Sequence, residues 1–170
     1  MYDNILYPTD GSNGADAAMD HARTLASAYD ATVHLLFVVD AEHVESGMML
    51  REDATDEERV TGMMKRDEET AGEGHMSRHS DMSSILEKRG EYITEEIASR
   101  LAEEGITTAT AVKHGDPPQV ITEYAEDNDI DLITMGTHGR RGIERRLIGS
   151  VTENVVRTST VPVMTARVDS

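Results

Sequence analysis

Residues Thr32 to Val39 read Thr-Val-His-Leu-Leu-Phe-Val-Val, a near-continuous apolar run of strand length. A run of this kind needs cover on both faces, which a parallel sheet with helices on each side provides. Four other short runs fit the same sheet: Asn4 to Asp10, ended by Pro8 and polar residues, then Thr107 to Val112, Ile130 to Met135 and Val161 to Met164. Helical patterns lie between them. Ala18, Ala22, Leu25, Ala26 and Tyr29 recur at three-to-four spacing, as do Ile93, Ile97 and Leu101 before a terminating Gly105. Asp116-Pro117-Pro118 reads as a capped helix start with Val120, Ile121 and Tyr124 inward, and Ser150 with Glu153 has capping-box spacing. Five strands alternating with four helices predict an α/β fold, an open doubly wound parallel sheet.

At 170 residues the chain is expected to form one domain, 1–170, with a single core. Acidic residues number 33 against 16 Lys plus Arg, a net charge of -17, so general adhesion to nucleic acid or anionic membrane is disfavoured. Only Lys65, Lys88 and Lys113 are lysines, and an acid-rich, lysine-poor surface reads as that of a halophilic protein kept soluble in strong salt. With no cysteine, disulfides, thiolate nucleophiles and cysteine-ligated metal centres are excluded. No apolar stretch approaches the roughly 18 residues of a membrane span. Met1-Tyr2-Asp3-Asn4 leads straight into a strand pattern, so a cytoplasmic protein is expected.

Residues 44–84 break the rhythm, with eleven acidic and five basic residues, four glycines and six of the ten methionines. Composition favours a mobile, solvated insertion; a methionine-lined flap over a ligand or partner is the alternative. His75 and His79 could meet on a helix to bind metal, yet no third ligand is evident, so no metal site is assigned.

In an open α/β sheet the ligand crevice lies beyond the carboxyl ends of the strands, where strand order reverses. Two strand ends carry unusual residues: Pro8-Thr9-Asp10-Gly11-Ser12, and Gly136-Thr137-His138-Gly139 after Met135. Glycines allow close approach of backbone amides to an anion, and a helix starting at Ser150 would turn the N–H groups of Gly149, Ser150 and Val151 toward phosphate oxygens. Residues 136–150 hold four arginines and one glutamate, net +3, in a chain whose other 155 residues carry -20. There is no Gly-Lys-Ser/Thr of a Walker A loop and no Gly-x-Gly-x-x-Gly after the first strand. Without a phosphate-reaching lysine or an evident base, binding is better supported than catalysis. Simpler roles remain open: Pro8 as a strand end, Asp10 and Ser150 as caps, Val38 and Met135 as core.

With these residues in view, the sequence resembles the universal stress protein family. Gly136, two residues, Gly139, nine residues and Gly149-Ser150 match the spacing of that family's ATP-binding motif, and Ile5-Leu6-Tyr7-Pro8-Thr9-Asp10 resembles its opening strand. The resemblance implies a Rossmann-like sheet of order 3-2-1-4-5 in a homodimer that binds an adenine nucleotide, ATP foremost, with Mg2+ carried mainly by the phosphates. It places Pro8, Asp10 and Val38 along the adenosine pocket, Met135 and Gly136 against the ribose, and Gly139, Gly149, Ser150 and Val151 around the phosphates; Thr9 and Arg140 complete the candidate set. The implied role is regulatory, through dimer or protein-client contacts, with no catalytic residue. A slow ATPase or nucleotidyl-transferring enzyme is a competing reading, weakened because the Ser-Gly-Gly-x-Asp-Ser and His-x-Gly-His loops of such enzymes are missing. A nucleotide-independent interaction protein is another.

Overall fold

A computed structural model describes residues 1–40, 74–137 and 148–167, with only the backbone described at 13, 14 and 74–81. The elements run β1 (Asn4–Thr9), α1 (Asn13–Tyr29), β2 (Thr32–Val39), α2 (Gly74–Glu103), β3 (Thr108–His114), α3 (Pro117–Asp127), β4 (Leu132–Gly136), α4 (Ser150–Thr158) and β5 (Val163–Ala166). All strand pairs are parallel and the order is β3-β2-β1-β4-β5. The doubly wound fold and the strand order expected above are therefore both present.

Both faces of the sheet are apolar because successive side chains of a strand point to opposite sides. Ile5, Tyr7, Val33 and Leu35 pack under α1 and α2, against Ala18, Ala22, Ala26, Ile97 and Leu101. Leu6, Leu36, Ile133 and Met135 face the other way, toward Ile121 and Ala125 of α3 and Val155 of α4. The alanines of α1 let that helix lie close to the strands.

Three boundaries differ from the expectation. Ile130 precedes β4, because Asp129 takes a left-handed turn and the Asp131 carboxylate accepts hydrogen bonds from the backbone of Asp3 and Asn4 at 2.7 and 2.9 Å. Val161 precedes β5, where its backbone and the Ser159 side chain bond each other. Residues 74–84, placed above in the insertion, form the first turns of α2, since Met82, Leu86 and Ile93 recur at helical spacing against Phe37, Val39 and Val112. Tyr29 is also not core: it is half-exposed and stacks edge-on against Tyr2.

Candidate functional site

The order of strands reverses between β1 and β4, and there the ladder is short. β1 pairs with β2 along its whole length but with β4 only at Ile5–Leu132 and Leu6–Ile133. The reason is local. The Asp3 carbonyl accepts from Thr32 of β2, while the Leu6 carbonyl accepts from the Thr134 hydroxyl of β4, so even-numbered residues of β1 turn their peptide groups to β4. The next bond in that ladder would need an N–H at Pro8, which has none. The ladder between the two strands thus ends short of their carboxyl ends, at the switch point where the crevice of an open α/β sheet lies.

One wall is the turn from β1 into α1. Gly11 has φ 76°, a left-handed conformation that suits glycine, and its N–H donates to the Thr9 hydroxyl at 3.1 Å. The Ser12 N–H donates to Asp10 Oδ1 at 2.9 Å, closing an Asx turn. Thr9 is buried, and through its bond to Gly11 it braces the turn. Burial holds the Tyr7 phenol far above its ordinary range. At the end of this turn the Ser12 hydroxyl oxygen is buried and has no hydrogen-bond partner among the described residues.

The other wall is built from β4 and α4. The Gly149 N–H donates to the Thr137 carbonyl at 2.7 Å, the Thr152 hydroxyl to the Gly136 carbonyl at 2.9 Å, and the Thr137 N–H to Ala166 at 2.8 Å. These bonds pin the amino end of α4 beside the end of β4. They also correct two expectations. Gly149, not Ser150, is the cap residue of α4 and has no side chain to cap with, and Glu153 pairs with Arg157 at 2.8 Å, so no capping box forms. The Gly149 amide is engaged by Thr137, while the amides of Ser150 and Val151 precede the first intrahelical bond, from Glu153 to Gly149. Asp116 likewise stands at the cap of α3 without a side-chain cap bond.

The structure brings together Pro8, Thr9 and Asp10 on one wall and Met135, Gly136, Gly149, Ser150 and Val151 on the other. Val38 adjoins the first wall: the β1–β2 offset, Thr9 opposite Phe37, carried one residue on sets Val38 level with Asp10. Pro8 and Met135 are buried; Asp10, Val38, Gly136 and Val151 are half-buried and Ser150 is exposed. Gly139 and Arg140, with the rest of the arginine-rich loop, lie outside the described residues. Among the described residues no group of three His, Asp or Glu could hold a metal ion. A separate hollow of about 260 Å³ between α2 and β3 is rimmed by Glu87, Glu91 and Glu95, the wrong charge for an anion. The crevice residues do fit an anionic ligand, with glycines at its rim and a helix amino-terminus beside it.

An open parallel sheet of order β3-β2-β1-β4-β5 with helices on both faces defines the doubly wound, Rossmann-like class of α/β domain. The family model "Universal stress protein family" matches residues 1–167, and the chain belongs to that family. Universal stress protein MJ0577 of Methanocaldococcus jannaschii is 31% identical over 171 residues, covering 98% of this chain and 96% of that protein. Its solved structure superposes with a TM-score of 0.76 at 28% identity, covering 100% of this chain and 99% of that one. A family protein from Arabidopsis thaliana with AMP bound gives 0.59 at 16% identity, over 99% and 93% of the chains. A universal stress protein in complex with cAMP gives 0.50 at 21%, over 98% and 97%. These last two are likenesses of fold. Among the described residues no helix is long and apolar enough to cross a membrane.

Proposed function

We propose that this chain is a cytoplasmic regulatory protein that binds an adenine nucleotide, ATP foremost, in the crevice between β1 and β4. The observation that carries the reading is the convergence of two features at the switch point. Pro8 ends the β1–β4 ladder, and the bonds from Gly149 to Thr137 and from Thr152 to Gly136 fix the amino end of α4 beside the opening. Family members with AMP and with cAMP support adenine nucleotides as the ligand class.

In this reading Pro8, Asp10 and Val38 flank the base and ribose, Met135 and Gly136 meet the ribose, and Ser150 and Val151 turn their amides to the phosphates. Gly139 and Arg140 complete the phosphate cradle, and Gly149 contributes by holding α4 in place. Mg2+ rides on the phosphates and meets the protein at Asp10. Occupancy adjusts a homodimer or the contacts of a protein client. The acidic, lysine-poor surface supports an origin in a high-salt cell interior.

Isothermal titration with ATP, ADP, AMP and cAMP, in molar KCl with and without Mg2+, tests the reading. Saturable binding weakened by Asp10→Ala is expected. No heat with any of the four at millimolar nucleotide rejects it. Light scattering of the same samples reads the oligomeric state with and without nucleotide.

A further inference from the structure

On one side the sheet ends at β3, and that edge is open. The Val33 N–H donates to the Thr107 carbonyl at 2.9 Å and the Gly115 N–H to the Val39 carbonyl at 3.1 Å, at the two ends of the β2–β3 ladder. Alternate residues of a strand turn their peptide groups to the same neighbour, so Ala109, Ala111 and Lys113 bond β2 while Thr108, Thr110, Val112 and His114 turn theirs outward. Among the described residues no strand pairs with that outer row. Strand edges are ordinarily blunted by short length, proline, a bulge or a lysine. β3 has seven residues, no proline and an unbroken register, against four residues for β5 at the opposite edge. Its one lysine, Lys113, shares the α3 face with Ala111, whereas Val112 packs on the α2 face.

The hollow of about 260 Å³ between α2 and β3 adjoins this edge, for Thr110 and Val112, whose peptide groups face outward, both line it. Glu87, Glu91 and Glu95 border it from one face of α2, at i, i+4 and i+8, and all three are exposed. Glu87 lies 3.8 Å from His114 Nε2; Glu91 and Glu95 form no ion pair among the described residues. We infer that the outer edge of β3 is a docking site for an extended, basic segment of a partner protein, which adds to the sheet as a further strand and sets lysine or arginine side chains in the hollow. Main-chain hydrogen bonds to Thr108, Thr110 and Val112 hold such a strand. Its alternate side chains point toward α2, with aliphatic stems against Thr110 and Val112 and charged heads at the glutamates. The charge of the rim tells against two other occupants. A second copy paired antiparallel with β3 about a two-fold axis sets one glutamate row against another, and residues 41–73 of the chain itself hold eleven acidic and four basic residues. Because β3 is separated from the β1–β4 crevice by β2, the inference stands whether or not a nucleotide binds there.

The test titrates the chain with a fluorescent peptide as long as β3, lysine alternating with valine, and with its counterpart carrying glutamate for lysine, at the lowest KCl concentration that keeps the chain folded by circular dichroism. Saturable binding of the lysine peptide, and none of the glutamate peptide, is expected. Thr110→Pro takes away an outward N–H that β2 does not use, so the variant should fold as before and bind the lysine peptide about ten-fold more weakly. Glu91→Gln combined with Glu95→Gln should weaken the same peptide about five-fold. No binding of the lysine peptide by the folded chain, equal binding of both peptides, or unchanged affinity in Thr110→Pro each overturns the inference. So does light scattering that shows a dimer of the unaltered chain parted by Thr110→Pro, since the occupant is then a second copy. If Thr110→Pro fails to fold, Thr108→Pro, at the first residue of the strand, is read by the same criteria.

Discussion

Gly90 and Gly105 show two separate reasons for lacking a side chain. A Cβ on Gly90 would sit 2.6 Å from the Phe37 ring, which is 2% exposed and enclosed by Val39 and Leu86. Helix propensity favours alanine over glycine by about 1 kcal/mol, but overpacking a filled core costs about 1–3 kcal/mol. Gly90→Ala should therefore lower stability by about 1 kcal/mol, read as a reduced denaturant midpoint. Gly105 meets nothing within 4 Å, but its φ of 79° is one that L side chains adopt at a cost of about 1–2 kcal/mol. Gly105→Ala should lose about that much from strain alone. Of these two, only Gly105 was legible in the sequence, because its role is to end a helix. Gly90 depends on a partner 53 positions away in the chain, a pairing that no local pattern encodes.

Among the elements, β2 carries a titratable group in an otherwise apolar run. His34 Nδ1 lies 3.1 Å from the Tyr124 hydroxyl of α3, and Nε2 lies 3.3 Å from Asn4 Oδ1 of β1. With tyrosine donating to Nδ1 and the amide oxygen accepting from Nε2–H, the pair suits a neutral imidazole. Burial holds the His34 pKa below its ordinary 6.5. The unfolded chain then binds more protons below pH 6.5, so stability is fully present above that value and declines as pH falls through it. Unfolding free energies measured from pH 7 to 5 should show this slope, and His34→Gln should flatten it. The Asp131 carboxyl, held low first by the Asn4 and Asp3 backbone bonds, loses its contribution only in more acidic solution, as pH falls below the ordinary carboxylate range. At the other end of the sheet, Thr152 of α4 ties that helix to Gly136. Thr152→Val removes one hydrogen bond and should cost about 1 kcal/mol. On the proposed function it should also weaken nucleotide binding several-fold, since α4 would no longer be fixed beside β4. The strands and helices themselves were legible as runs and periods. The anchoring of α4 was not, because Thr137 and Gly149 are 12 residues apart with no pattern linking them.

On the scale of the whole molecule, a net charge of -17 on 170 residues makes self-repulsion a general burden on the compact state. Raising KCl from about 0.1 M to about 2 M screens that repulsion, and Tm should rise by several degrees. A Tm indifferent to salt would argue against an acid-rich surface adapted to strong electrolyte. The sequence by itself determined the layered sheet, because apolar strands such as β2 must be covered on both faces, and it marked the two strand ends by their proline and glycines. Only the tertiary structure decided which groups at those ends are engaged: Gly149 is bonded by Thr137, Thr9 by its own turn, and the Ser12 hydroxyl by nothing among the described residues. The reason is physical. Periodicity reports which side of an element is buried, whereas hydrogen-bond partners depend on contacts between elements distant in sequence, which exist only once the sheet has closed its helices around it.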